Sequence, residues 1–91
     1  MLFMVHYEIN PWNRDSSYER VEAFGGDGLP PEIELIGTWS SVTQLEGWVV
    51  AKTDDVVALG KWMRRWTNLN VNTMIPIVDA DTQQAIMRGP L

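Results

Sequence analysis

Side-chain polarity reverses every second residue in four stretches of this chain and every third or fourth residue in two others, and the order of the six restricts the fold more than any single residue does. In residues 2–9, Phe3, Val5, Tyr7 and Ile9 oppose Leu2, Met4, His6 and Glu8, which is the period of a strand. Both sets are largely apolar, so this strand is expected to be covered mainly on both sides. Asn10-Pro11-Trp12-Asn13 ends it, because proline cannot donate to a ladder and restricts the residue before it. In residues 15–24, Tyr18, Val21 and Phe24 recur at every third position beside Ser17, against Asp15, Glu19, Arg20 and Glu22. That pattern predicts a short amphipathic helix. Asn13 or Asp15 can cap its start, and Gly25-Gly26 permits the left-handed turn that ends it.

Beyond the rigid Gly28-Leu29-Pro30-Pro31 connector, Ile33, Leu35, Gly37 and Trp39 alternate with Glu34, Ile36, Thr38 and Ser40, and in residues 47–53 Trp48, Val50 and Lys52 share a face. The polar residues 40–44 between these runs make them a hairpin. Thr53-Asp54-Asp55 opens a second helix with a capping side chain and two acids at the positive end of its dipole, and Arg64-Arg65 closes it at the negative end. Val56, Leu59, Trp62, Met63 and Trp66 fall within one arc of that helix. Residues 69–78 alternate again, with Val71, Thr73, Ile75 and Ile77 opposing Asn70, Asn72, Met74 and Val78, and Pro76 assigns this strand to a sheet edge. Asp79 or Asp81 caps a short tail helix carrying Ala85, Ile86 and Met87, which Gly89-Pro90 ends.

Strand, helix, strand, strand, helix, strand is the split βαβ order: an α+β, ferredoxin-like βαββαβ fold with a four-stranded antiparallel sheet and two helices on one face. Residues 1–91 are expected to form a single domain, with a core of 1–78 and a C-terminal tail of 79–91. Two layers leave the other sheet face bare. The sets available for it include Leu2, Met4, Ile36, Trp48, Val50 and Met74, or the equally apolar complements. Such a face exceeds what a monomer leaves wet, so the chain is expected to pair with itself, sheet against sheet, as a homodimer. A 10.4 kDa chain buries only about 64% of its unfolded surface, too little to hide five indoles. Trp12, outside every periodic run, is expected to be exposed.

The segments MLFMVHYEI with its proline turn, IGTW, GWVVAKTDD, ALGKWMRRWTNL and IPIVD together resemble a bacterial family of small proteins of unknown function in the dimeric α/β-barrel group. Members of that group include small-molecule monooxygenases, muconolactone isomerases and stress-responsive barrel proteins. The resemblance covers about residues 1–81 and implies the fold and the dimer. It supplies no catalytic motif that maps position by position onto this chain.

Seven Lys and Arg against twelve Asp and Glu, a net charge of -5, argue against nucleic acid and anionic membrane surfaces as partners. Without cysteine there is no disulfide framework, thiolate nucleophile or cysteine-ligated metal. The apolar start is five residues long, with neither a basic region before it nor a cleavage site after it, and no apolar run approaches the roughly 20 residues of a membrane span. A cytoplasmic location is the default expectation. GxSxG, phosphate-loop and HExxH patterns are missing from the sequence. Gly25-Gly26-Asp27-Gly28 follows a helix instead of opening one, so it cannot aim helix N-terminal amides at phosphate. A lone histidine and scattered acids predict neither a metal nor a cofactor.

The candidate site residues are few. His6 is the one candidate catalytic residue, a base near neutral pH that Glu8 can orient; the favoured alternative makes it a half-buried strand residue hydrogen-bonded across the dimer. Trp39, Trp48, Trp62 and Trp66 can form a cage for a planar apolar ligand between the sheet and the second helix, with Tyr7, Tyr18, Asn70 or Asn72 supplying polar contacts. Against this stands a plainer arrangement in which Trp62 and Trp66 fill the core and Trp39 staples the sheet. Asp54-Asp55 are explained by capping. Lys61, Arg64 and Arg65 form a basic cluster that is either a solvated helix face or a contact for an acidic partner. The leading reading is a homodimeric binding or accessory module engaging a small apolar molecule or a protein. Its rival is a cofactor-independent enzyme of monooxygenase or isomerase type, and a structural adaptor is a third possibility. A roomy pocket into which His6 points favours the enzyme, whereas His6 at the dimer seam favours the module.

Overall fold

The computed structural model describes residues 1–26 and 28–91; Asp27, in the glycine cluster discussed above, lies outside the described residues. Strands β1 (Leu2–Ile9), β2 (Glu34–Ser40), β3 (Glu46–Lys52) and β4 (Asn70–Ile77) form one antiparallel sheet in the order β2-β3-β1-β4. Helix α1 (Arg14–Phe24), entered through the single 3-10 turn Pro11–Asn13, connects β1 to β2, and α2 (Val56–Arg64) connects β3 to β4. This is the ferredoxin-like βαββαβ arrangement, followed by a third helix, α3 (Ala80–Met87). Pro76 lies on the edge strand β4, where its missing N–H costs no ladder bond.

The core forms where the apolar arc of α2 meets the sheet. Val5, Val49 and Ala51 from the two central strands pack with Ile33 against Ala58, Leu59, Trp62 and Trp66. Val5 stands opposite both Val49 and Met74, so Met74 belongs to this helix-covered face. That corrects its expected place on the bare face. Within one chain β1 is covered on one side only. Val5 and Ile9 are buried, but Leu2, Met4 and His6, on the helix-free face, are only half-buried.

Local chemistry sets the helix ends. The Asp55 carboxylate accepts the Ala58 N–H at 3.0 Å, and the buried Thr53 hydroxyl accepts the Asp55 N–H while donating to the Glu32 carbonyl, both at 3.0 Å. Gly25 takes φ 68°, and the Gly25 and Gly26 amides return to the Glu22 and Val21 carbonyls, the left-handed exit that glycine permits. Asn13 does not cap α1. Its side chain donates to the Leu69 carbonyl at 3.2 Å instead, fastening the helix start to the approach of β4. The Arg20 guanidinium donates to the Arg65 carbonyl at 2.6 Å and to Asn68, 6.0 Å over the Trp66 ring. Arg65 donates to the Gly28 carbonyl and sits 5.7 Å from the Phe24 ring. Of the basic cluster, then, Lys61 and Arg64 are solvated while Arg65 braces the connector. Among the described residues no helix is long and apolar enough to cross a membrane.

The alternation in β2 is interrupted. Leu35 pairs with Ala51, but Gly37 pairs with Val50, leaving Ile36 as the extra residue of a β-bulge. A bulge reverses which residues face which side. Leu35 therefore remains on the helix-covered face, while Gly37 and Trp39 turn to the opposite one.

Candidate functional site

α1 is the weaker of the two packed helices. Only Ser17 in it is buried, while Tyr18, Val21 and Phe24 remain partly open to solvent. A cleft lies between this helix, α2 and the sheet, with an empty volume of about 530 Å³ that includes its open mouth. Its sheet wall carries Val5, Tyr7, Ile9, Val49, Asn70 and Asn72, and its helix walls carry Ser17, Tyr18 and Val21 opposite Trp62, Met63 and Trp66. No lining residue is charged. The walls are apolar and aromatic with a few amides and hydroxyls, the composition of a small-molecule pocket.

Most of the polar groups are already engaged. The Ser17 hydroxyl donates to Asn70 Oδ1 at 2.9 Å, and the Tyr7 hydroxyl lies 3.1 Å from Ser40 Oγ. The Tyr18 hydroxyl donates to Gln44 Oε1 at 2.6 Å, tying α1 to the β2–β3 turn. Tyr7 crosses the sheet over Gly47: a Cβ built at Gly47 would stand 2.2 Å from the Tyr7 hydroxyl oxygen and 2.6 Å from the Trp39 carbonyl oxygen. The glycine is what lets the phenol lie flat there. Asn72 donates through Nδ2 to Met63 Sδ at 3.6 Å, and its buried Oδ1 has no hydrogen-bond partner among the described residues.

An orphaned buried carbonyl costs free energy that an apolar side chain of similar shape would not. Replacing Asn72 by leucine is therefore expected to raise stability by about 1 kcal/mol, read from urea unfolding. An unchanged or lower midpoint would mean that the amide is satisfied in solution.

Of the eight residues expected around a ligand, Tyr7, Tyr18, Trp62, Trp66, Asn70 and Asn72 line this cleft. Trp39 and Trp48 do not, so the four-indole cage does not form. They are direct cross-strand partners on the helix-free face, where the bulge turns Trp39 and the pleat turns Trp48. The Trp39 indole lies across Gly37, 2.6 Å from where a Cβ would be.

His6 occupies that same helix-free face. Its ring stacks on Trp48 with centroids 5.3 Å apart and planes 13° from parallel. Nε2 is 3.1 Å from Glu46 Oε2, and Nδ1 is 3.7 Å from Glu8 Oε1. Glu8 and Glu46 oppose each other across β1 and β3, so the imidazole sits beside a facing pair of carboxylates. Glu46 escaped the sequence reading because its place beside His6 depends on the β1–β3 register. The sheet itself separates this cluster from the cleft, and His6 does not line it. Among the described residues no three His, Cys, Asp or Glu side chains group as metal ligands would.

The family described as a domain of unknown function (DUF3303) matches residues 1–90. No curated protein matches the sequence. Among solved structures, Rv0793 from Mycobacterium tuberculosis is similar with a TM-score of 0.50 at 13% identity, over 86% of this chain and 94% of that one. An antibiotic biosynthesis monooxygenase gives a TM-score of 0.49 at 15% identity, over 87% of this chain and 100% of that one. The likeness to Rv0793 concerns the fold alone.

Proposed function

Given that the chain belongs to the DUF3303 family of domains of unknown function, we propose that it is a homodimeric binding module whose cleft takes a small, neutral, mainly apolar molecule. The observation that carries this reading is the partition of side chains between the two sheet faces. Room, aromatic walls and amides lie on one side, and the one histidine with its two carboxylates lies on the other. A base that cannot reach the bound molecule cannot abstract its proton, so the reading with His6 as catalyst for a monooxygenase or isomerase loses its central residue. Charged ligands are disfavoured because nothing in the lining compensates their desolvation.

The dimer is supported by the composition of the helix-free face. Leu2, Met4, Trp48, Val50, Trp39, Ile75 and Ile77 share it, with Trp39 and Ile75 exposed and the rest half-buried. That is a contiguous apolar surface of the kind proteins cover with another subunit. His6, Glu8 and Glu46 then lie at the seam, where a partner copy can complete their hydrogen bonds.

The cleft is tested by titrating 1-naphthol and 2-naphthoate while following tryptophan emission, since Trp62 and Trp66 line the wall. Naphthol is expected to quench and naphthoate to bind at least about 10-fold more weakly, about 1.4 kcal/mol. Val21→Trp, which places an indole at the mouth, is expected to abolish the quench while leaving the fold intact. Equal responses from the wild type and this variant would sink the proposed site.

A further inference from the structure

The C-terminal segment is a helix with no buried residue. Asp79 caps α3 by accepting the Thr82 N–H at 2.8 Å, yet every residue from 78 to 91 is exposed, including Ile86 at 65% and Met87 at 74%. Eight-residue helices are marginal in water without tertiary packing, since isolated helices need about 12–15 residues. The chain as a whole is correspondingly extended. Its radius of gyration is 15.0 Å and its longest axis 51 Å, whereas a compact chain of this length has a radius near 12 Å.

In flat outline the helix-free sheet face alone falls short of a standard interface. Four strands of seven or eight residues present about 25 Å by 19 Å, roughly 480 Å². A standard interface takes about 800 Å² from each partner. α3 begins where that face ends: β4 is an edge strand carrying Ile75 and Ile77 on the face, and only Val78 and Asp79 separate Ile77 from the helix. Hydrogen bonds from the Thr82 side chain and amide lower the Asp79 carboxyl below its usual range, and Lys52, on the same face, adds to the lowering. The helix therefore starts at the rim of the surface that needs enlarging.

We infer that α3 is an exchanged arm, docking through Ile86 and Met87 onto a second copy of this chain alongside the paired sheets. This rests on the sheet-to-sheet dimer proposed above. Each arm adds apolar area that the sheet lacks, and the partner supplies the packing that the isolated helix lacks.

The test is sedimentation equilibrium of the full chain carrying Ile86→Asp and Met87→Asp together, beside the wild type and a chain ending at residue 79. Both altered chains are expected to dimerise at least 10-fold more weakly with an unchanged sheet signal in circular dichroism, and trypsin is expected to cut after Arg88 faster in the aspartate variant. A wild-type dimer whose dissociation constant neither change affects overturns the arm and leaves the sheet-paired dimer standing. A wild type that sediments as a 10.4 kDa species overturns both.

Discussion

Gly47→Ala is expected to lower stability by about 2–3 kcal/mol, at the upper end of what one extra methyl costs in a packed layer. The reason is that two different neighbours occupy the space. The Tyr7 phenol, 2.2 Å from the new carbon at its oxygen, can swing away, but the Trp39 carbonyl at 2.6 Å belongs to the adjacent strand and cannot. Relief must come from parting β2 and β3 where Ser40 pairs with Gly47. The displaced phenol would also enter the cleft that Tyr7 lines, so naphthol binding should weaken along with the midpoint. Gly60→Ala is the matched control. Nothing lies within 4 Å of a Cβ at Gly60, within α2, and alanine there is expected to add about 0.5–1 kcal/mol. Urea unfolding of the two variants should move in opposite directions, and a shared sign would refute the assigned packing.

The two variants mark the boundary of what periodicity alone can reveal. Alternation and helical arcs locate all four strands and both packed helices, because a half-buried strand and an amphipathic helix each write their period into the sequence. They also pick out Trp62, Trp66, Tyr7, Asn70 and Asn72, which the fold brings to one cleft. They fail at Trp39, since the bulge at Ile36 adds a residue without interrupting the polarity pattern, and every later side chain in β2 changes face. Trp48 eludes the pattern for another reason. Both faces of β3 are apolar, so its period gives the phase of the strand but not which phase meets the helices. The orphaned Asn72 carbonyl and the glycine under Tyr7 arise from contacts between strands distant in sequence, to which local spacing is blind.

Trp62→Ala is expected to cost about 3–5 kcal/mol, the range for removing a buried aromatic side chain. A chain of this length holds about 5–14 kcal/mol in all, so the loss is a large share of the total and the urea midpoint should fall steeply. Trp62 is 2% exposed and belongs at once to the core under α2 and to the wall of the cleft. Removing it opens the core into the cleft, and the neighbouring Leu59, Ala58 and Val49 cannot close a gap that size because they are fixed on a helix and a central strand. Trp12, 79% exposed in the turn after β1, provides the contrast: its alanine variant should unfold within about 0.5 kcal/mol of the wild type. Comparing the two indoles separates burial from aromatic content as the source of stability. Trp62→Phe sharpens the test, because a smaller ring that still fills most of the wall should restore the fold while enlarging the cleft. If Trp62→Ala unfolds no more readily than Trp12→Ala, α2 is not seated on the sheet as described, and the cleft bounded by that helix loses its wall.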